Sequence, residues 1–229
     1  MNRHIASSIS LVFLALAMFG CTLSDDDDAQ SPPATDAYRL KERLTYNAEG
    51  TLTSSYHYAY DSEGKFTTNY MTDASGTTTS STTYEYKSPF GYTRGNYYDP
   101  SGAPTLYTVC IYDAAGNRVR FDNYDTSDVK MNYYTYTYDA AGKTIRIDYY
   151  DASGTLSWYR QFENDTAGNR IKTIRYDSTD TITGSTVYTY ENGRWSRIQN
   201  YDAADVLTSY QDIIWEKGTM VDDIIAIDW

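Results

Sequence analysis

A tyrosine-aspartate turn motif recurs along almost the whole chain at alternating spacings of 14 and 12 residues, so the sequence is an array with a 26-residue unit. The Tyr-Asp position, or its stand-in, falls at Tyr46, Tyr60, Thr72, Tyr86, Tyr98, Tyr112, Tyr124, Tyr138, Tyr150, Asn164, Tyr176, Tyr190, Tyr201 and Trp215. Only the step from Tyr190 to Tyr201 is a residue short. Repetition on this scale marks supersecondary units that cannot bury an apolar face alone and must stack on their neighbours.

Each copy carries the chemistry of a hairpin turn. In Tyr112-Asp-Ala-Ala-Gly-Asn117, Asp113 supplies the side-chain acceptor of a type I turn and Gly116 the positive φ that comes after it. The same pairing appears at Asp61 and Gly64, Asp99 and Gly102, Asp139 and Gly142, Asp151 and Gly154, and Asp165 and Gly168. Asp128, Asp180 and Asp205 replace the glycine in other copies, at a modest cost because aspartate tolerates the left-handed region. The segments between turns are rich in Tyr, Thr, Val and Ile and long enough for one strand each. The expected fold is therefore all-β, an antiparallel β-meander of about 14 short strands built from 26-residue double-hairpin repeats.

If each turn closes with the aspartate opposite the residue after the glycine, simple alternation assigns the faces. One face is aliphatic and collects Val109, Ile111, Val119, Phe121, Met131, Ile145, Ile147, Ile171 and Val187. The other collects the motif tyrosines with Arg118, Arg120, Tyr134, Tyr136, Arg146, Asp148, Trp158, Arg160, Arg170, Lys172 and Tyr188, and reads as wet. A round barrel of so many strands would enclose a lumen too wide to fill, since about eight strands pack solid. The expectation is a sheet curled or flattened over its aliphatic face. A transmembrane barrel is disfavoured, because its outward face would carry arginine and aspartate where lipid requires apolar groups.

The first residues carry an address. Arg3 and His4 lead into an apolar stretch from Ile9 to Gly20, too short for a stable membrane anchor but suited to a secretory signal. Leu16-Ala-Met-Phe-Gly-Cys21 resembles the bacterial lipobox, which implies cleavage after residue 20 and lipid on Cys21. Residues 21–38, with the run Asp25 to Asp28 and Ser31-Pro-Pro-Ala-Thr-Asp36, read as a disordered acidic and proline-containing tether. Residues 39–229 form the repeat domain, ending in a strand-like stretch from Met220 to Trp229.

The strings at 112–118, 138–143 and 164–170 resemble the YD repeats of Rhs-type proteins, and the likeness covers about residues 46–218. That resemblance implies antiparallel hairpins wound into a shell, which in large Rhs proteins encloses a toxin and ends in a self-cleavage motif like Asp-Pro-x-Gly. Asp99-Pro-Ser-Gly102 matches the motif but sits mid-array in phase with the other turns, where proline is favoured for its own φ. The chain looks like a small stand-alone YD-repeat lipoprotein without a toxin domain.

Function is less legible. A net charge of −12 argues against nucleic acid or an anionic membrane surface as a partner. His57 lies in a strand with no nucleophile motif beside it, and Cys110 reads as a buried inert thiol, so no catalysis and no cofactor are expected. The aspartates match no calcium-loop spacing, and no metal is expected. The preferred expectation is an envelope lipoprotein, held through the lipid on Cys21 and addressed to the outer membrane. Its ligand face of Tyr134, Tyr136, Arg146, Trp158, Arg160 and Tyr188 would bind carbohydrate or protein. The alternative is a structural spacer of the envelope without a specific ligand.

Overall fold

The computed structural model describes residues 38–87 and 91–218. The signal segment, Cys21, the tether and the expected strand from Met220 to Trp229 lie outside the described residues. Fourteen strands run in succession: β1 (Tyr38–Asn47), β2 (Leu52–Tyr60), β3 (Phe66–Asp73), β4 (Thr78–Glu85) and β5 (Arg94–Tyr98). Then come β6 (Pro104–Tyr112), β7 (Arg118–Asp125), β8 (Lys130–Tyr138), β9 (Thr144–Asp151) and β10 (Leu156–Asn164). The last are β11 (Arg170–Asp177), β12 (Ile182–Glu191), β13 (Arg194–Asp202) and β14 (Leu207–Lys217). Every strand pairs antiparallel with its neighbours in sequence, and β1 pairs β14, so the sheet is a closed barrel.

This corrects the expected curled or flattened sheet. The bonding is continuous around the ring, so double hairpins are not separate structural units. Closure leaves no free sheet edge. Rings and guanidiniums line the inner wall together with aliphatic side chains. Leu40, Tyr188, Trp195, Ile198 and Ile213 form one buried cluster, and Phe66 with Tyr84 another. Tyr58 packs against both.

The turns share one geometry. At Asp113 the backbone N–H donates to the Asn117 carbonyl at 2.9 Å, and Gly116 N–H returns to the Asp113 carbonyl at 3.2 Å. Oδ1 of Asp113 accepts the N–H groups of Ala115 and Asn117 at 2.8 and 2.9 Å. Asp61, Asp99, Asp139 and Asp165 accept in the same way. Asp151 accepts from the Ser153 hydroxyl and the Thr155 N–H. Asp99-Pro-Ser-Gly102 is one more such turn. Asp128, Asp180 and Asp205 hold φ of 62°, 64° and 62° in the glycine position. Between β12 and β13 the link shortens to Asn192-Gly193, both at positive φ, a two-residue hairpin that removes the missing residue before Tyr201.

Twelve of the hairpins carry a register shift one pairing beyond the turn. In β9, for example, Tyr138 lies opposite Thr144 but Thr137 lies opposite Arg146, leaving Ile145 as the extra residue. A bulge of this kind switches the side-chain parity of the rest of the strand. Ile147 is consequently 3% exposed and Ile145 39%, two positions that plain alternation would put on one face. The aliphatic face is thereby dismantled: Ile111, Met131, Ile145 and Ile171 are exposed, while the interior holds Thr108, Cys110, Arg118, Thr144, Phe162, Arg170 and Thr173.

The motif aromatics at one end of the barrel brace this interior. The hydroxyls of Tyr60, Tyr86, Tyr112, Tyr138 and Tyr190 donate to the carbonyls of Leu40, Phe66, Tyr92, Arg118 and Arg170, each 20 residues earlier, at 2.7 to 3.0 Å. The Trp215 indole N–H makes the equivalent bond to Trp195 at 2.8 Å. Leu40, Phe66, Arg118, Arg170 and Trp195 all border a register shift, where ladder pairing is interrupted. Asn164 occupies the remaining motif position at this end, and its Oδ1 is buried without a partner among the described residues.

Candidate functional site

The outer wall carries stacks of rings under arginines. Tyr107 and Tyr124 stack at 5.0 Å, Tyr133 and Tyr150 at 4.9 Å, Tyr159 and Tyr176 at 4.8 Å, and Tyr46 and Tyr210 at 4.9 Å. Arg94, Arg120, Arg146 and Arg197 cover Tyr107, Tyr133, Tyr159 and Tyr210 at 3.6 to 4.6 Å. Tyr159 is only 5% exposed although it faces outward, because Arg146 lies on one side and Tyr176 on the other. Its hydroxyl donates to Asp180 at 2.8 Å and that of Tyr107 to Asp128 at 2.7 Å. The acceptor carboxylates hold both phenols above the ordinary tyrosine range. Ion pairs Arg120–Asp122, Arg146–Asp148 and Arg197–Asp212 also lie on this wall.

Five of the six expected ligand-face residues point inward instead. Tyr134, Tyr136, Trp158, Arg160 and Tyr188 belong to the inner wall, and Arg146 alone faces out, on the far side of the sheet from the rest. The parity switch in β9 separates them. Trp158 stacks on Tyr149 at 5.0 Å and meets Tyr134 edge-on at 6.0 Å, with the Arg160 guanidinium 5.3 Å from the indole. Burial raises the pKa of Tyr134. Tyr188 is buried deeper, its hydroxyl 3.1 Å from that of Thr173 and its ring beside Trp195 at 5.1 Å. The turn aspartates and glycines lie at the two rims.

Beside Arg160, the wall formed by β10 to β14 encloses a cavity of about 270 Å³. Among the described residues its lining includes Arg160, Thr173, Arg175, Thr186, Asn200 and Ser209. The Thr186 hydroxyl donates to Asn200 Oδ1 at 2.9 Å, and Asn200 Nδ2 donates to Ser209 Oγ at 3.1 Å, which fixes the amide. Arg175 is held at the edge by Nε donating to Thr183 Oγ1 at 3.1 Å. Gly184 gives it room: a Cβ there would lie 2.6 Å from the Tyr201 carbonyl oxygen and 3.1 Å from the Arg175 guanidinium. The sequence pattern singles out only Arg160 of this set. Gly184 was the available signal, a glycine inside a strand with no turn chemistry around it, which marks a close approach.

His57 stacks on Tyr70 at 4.5 Å, with Nδ1 3.5 Å from a Glu42 carboxylate oxygen and Nε2 3.4 Å from the Thr72 hydroxyl. Among the described residues, no group of three or more His, Cys, Asp or Glu is placed to hold a metal ion.

No known family matches the chain, and no curated protein matches it. Solved structures do. A porin-like protein from Bacteroides uniformis is 12% identical over 81% of this chain and 99% of that one, with a TM-score of 0.45. A protein with a YmcC-like fold from Bacteroides fragilis is 16% identical over 81% of this chain and 98% of that one, at 0.31. The TcdB2-TccC3 structure is 17% identical over 73% of this chain but 10% of its own length, at 0.31. At these scores the likenesses lend no function to the chain, and the reading rests on its own residues.

Proposed function

We propose that the chain is a non-catalytic lipoprotein of the bacterial envelope, of the stand-alone YD-repeat kind, whose barrel binds a carbohydrate or protein ligand. The observation that carries this reading is the cavity beside Arg160, with its pre-set Thr186–Asn200–Ser209 chain and neighbouring aromatic wall. Fixed hydroxyl and amide groups converging on a small recess are the usual means of orienting a polar ligand. The recess is just below the ~300 Å³ at which drug-sized pockets begin, so it suits one sugar-sized group rather than an extended polymer.

The test is retention of the full-length protein, in detergent, on panels of glycans and envelope proteins. Asn200→Leu removes the central amide and is expected to abolish retention while the barrel still melts cooperatively. Unchanged retention by that variant, or no retention by the wild type, sinks the reading. A spacer without a ligand is the second reading, favoured by the outer rings, whose faces are already covered by arginine and by one another. Under it, Asn200→Leu changes melting and no interaction. Protease shaving of intact cells, with a Cys21→Ser variant that should be released without lipid, tests the anchor and its side of the membrane.

A further inference from the structure

The two rims of the barrel differ in what they show to the outside. We infer that the rim at which the chain enters β1 rests its outer wall on the lipid surface of the membrane, an inference that builds on the lipoprotein reading above. Tyr38 opens β1 opposite Lys217, and the hairpin turns that begin at Asp61, Asp113, Asp139 and Asp165 lie at this same rim. The chain that follows Cys21, the expected lipid site, therefore joins the barrel here and not at the other rim.

On this rim the bulges of β7, β9 and β11 each leave an aliphatic residue as the extra one: Val119, Ile145 and Ile171. Ile145 and Ile171 are exposed, as is Ile111 on β6 beside the Val119 bulge, with Thr137 and Glu163 between them on β8 and β10. At ~4.8 Å between strands, β6 to β11 carry this row over about 24 Å. At the opposite rim the extra residues are Thr53, Thr79, Thr105, Ser157, Thr183 and Thr208, with Met131 the exception. Charge divides the rims as well. Among the described residues, the four turn aspartates of the entry rim are each followed within five residues by a base, Lys65, Arg118, Lys143 or Arg170. The six aspartate turns of the opposite rim have only Lys130 after them, and Asp128, Asp180 and Asp205 add a second carboxylate to three. Val129, Ile182 and Val206 are exposed at that rim too, but among those carboxylates. Aliphatic groups gain by entering the boundary between headgroups and acyl chains, whereas a ring of carboxylates is held in water. The barrel's acidity thus faces away from the membrane.

The experiment labels the full lipidated chain with an environment-sensitive fluorophore at Ile145→Cys, at Ile171→Cys or, on the other rim, at Val129→Cys. Wild type treated in parallel gives the background from the buried Cys110. Each protein is reconstituted into phosphatidylcholine vesicles that contain a lipid with a nitroxide on its headgroup. Probes at positions 145 and 171 are expected to be quenched about threefold more than the probe at 129. Adding Ile111→Glu and Ile145→Glu behind the probe at 171 should bring its quenching down to the level at 129 with the melting temperature unchanged. Equal quenching at 129 and 145, as a barrel inserted through the bilayer would give, overturns the inference. So does no quenching at 145, as a row that faces a protein partner would give. Flotation of the same vesicles separates the two readings: a chain that floats with position 145 unquenched keeps the lipid anchor and loses the inference, and a chain that does not float loses both.

Discussion

Replacing Tyr138 by Phe removes one oxygen and nothing else, which makes it the sharpest probe of the interior braces. The Tyr138 hydroxyl donates to the Arg118 carbonyl at 2.7 Å, inside the barrel and beside a bulge. A typical internal hydrogen bond contributes about 1 kcal/mol net, and leaving a buried acceptor unsatisfied costs about 1–3 kcal/mol. The expected loss is therefore about 1.5 kcal/mol, or roughly 3–6 °C in Tm for a domain of this size. Tyr60→Phe should cost a similar amount through the Leu40 carbonyl. The two braces stand on β2 and β8, far apart on the ring, so the double variant should lose about 3 kcal/mol by simple addition. Tyr176→Phe is the control: its ring stacks on Tyr159 outside the barrel, and among the described residues its hydroxyl has no partner. Chemical and thermal unfolding of the purified protein measure all four. If Tyr138→Phe and Tyr60→Phe fall within about 0.3 kcal/mol of the Tyr176→Phe variant, the braces do not stabilise the barrel and the reasoning is wrong.

Glycine substitutions at the left-handed aspartates should separate strain from bonding. Asp205→Gly relieves a φ of 62° and is expected to stabilise by about 0.5–1 kcal/mol, whereas Asp128→Gly also removes the acceptor of Tyr107 and should come out near neutral. Equal gains in the two unfolding curves would contradict the role given to the Tyr107 bond. Stability should also fall at both extremes of pH. Burial pushes Tyr190 up to about 12 from 10.0, so that group's contribution is complete below pH 10 and lost as pH rises towards 12. Side-chain hydrogen bonds from Ser75, Ser101, Asn117, Ser153, Asn169 and Thr179 hold Asp73, Asp99, Asp113, Asp151, Asp165 and Asp177 below 3.8, so their contribution is present above that pH and lost below it. A Tm that stays flat from neutrality through pH 12 would refute the alkaline half.

The strands and their antiparallel pairing were legible because the aspartate-glycine chemistry is local: a side chain bonding its own backbone two and four residues on needs no distant partner. Closure was not legible, because β1 meets β14 through contacts such as Arg39 with Glu216, separated by 177 residues. The faces were misread for a different reason. The register shift after each turn involves backbone pairing rather than residue type, so Ile145 and Ile147 look alike in sequence and end on opposite walls. Arg146 was consequently grouped with Trp158 and Arg160, from which the sheet separates it. Asn200 and Ser209 carry no signal alone; they acquire one only when β12, β13 and β14 lie side by side.

The seam between β1 and β14 also sets the order in which this chain can assemble. Every other pairing joins neighbours in sequence and can form as soon as its two strands exist, but the seam must wait for almost the entire chain and bears the largest loop-closure entropy. Until it zips, the molecule is an open ribbon with two bare edges, able to add a strand from another copy as readily as its own. Refolding should therefore show fast hairpin formation and then a slow step sensitive to protein concentration, with ring completion competing against chain-to-chain exchange.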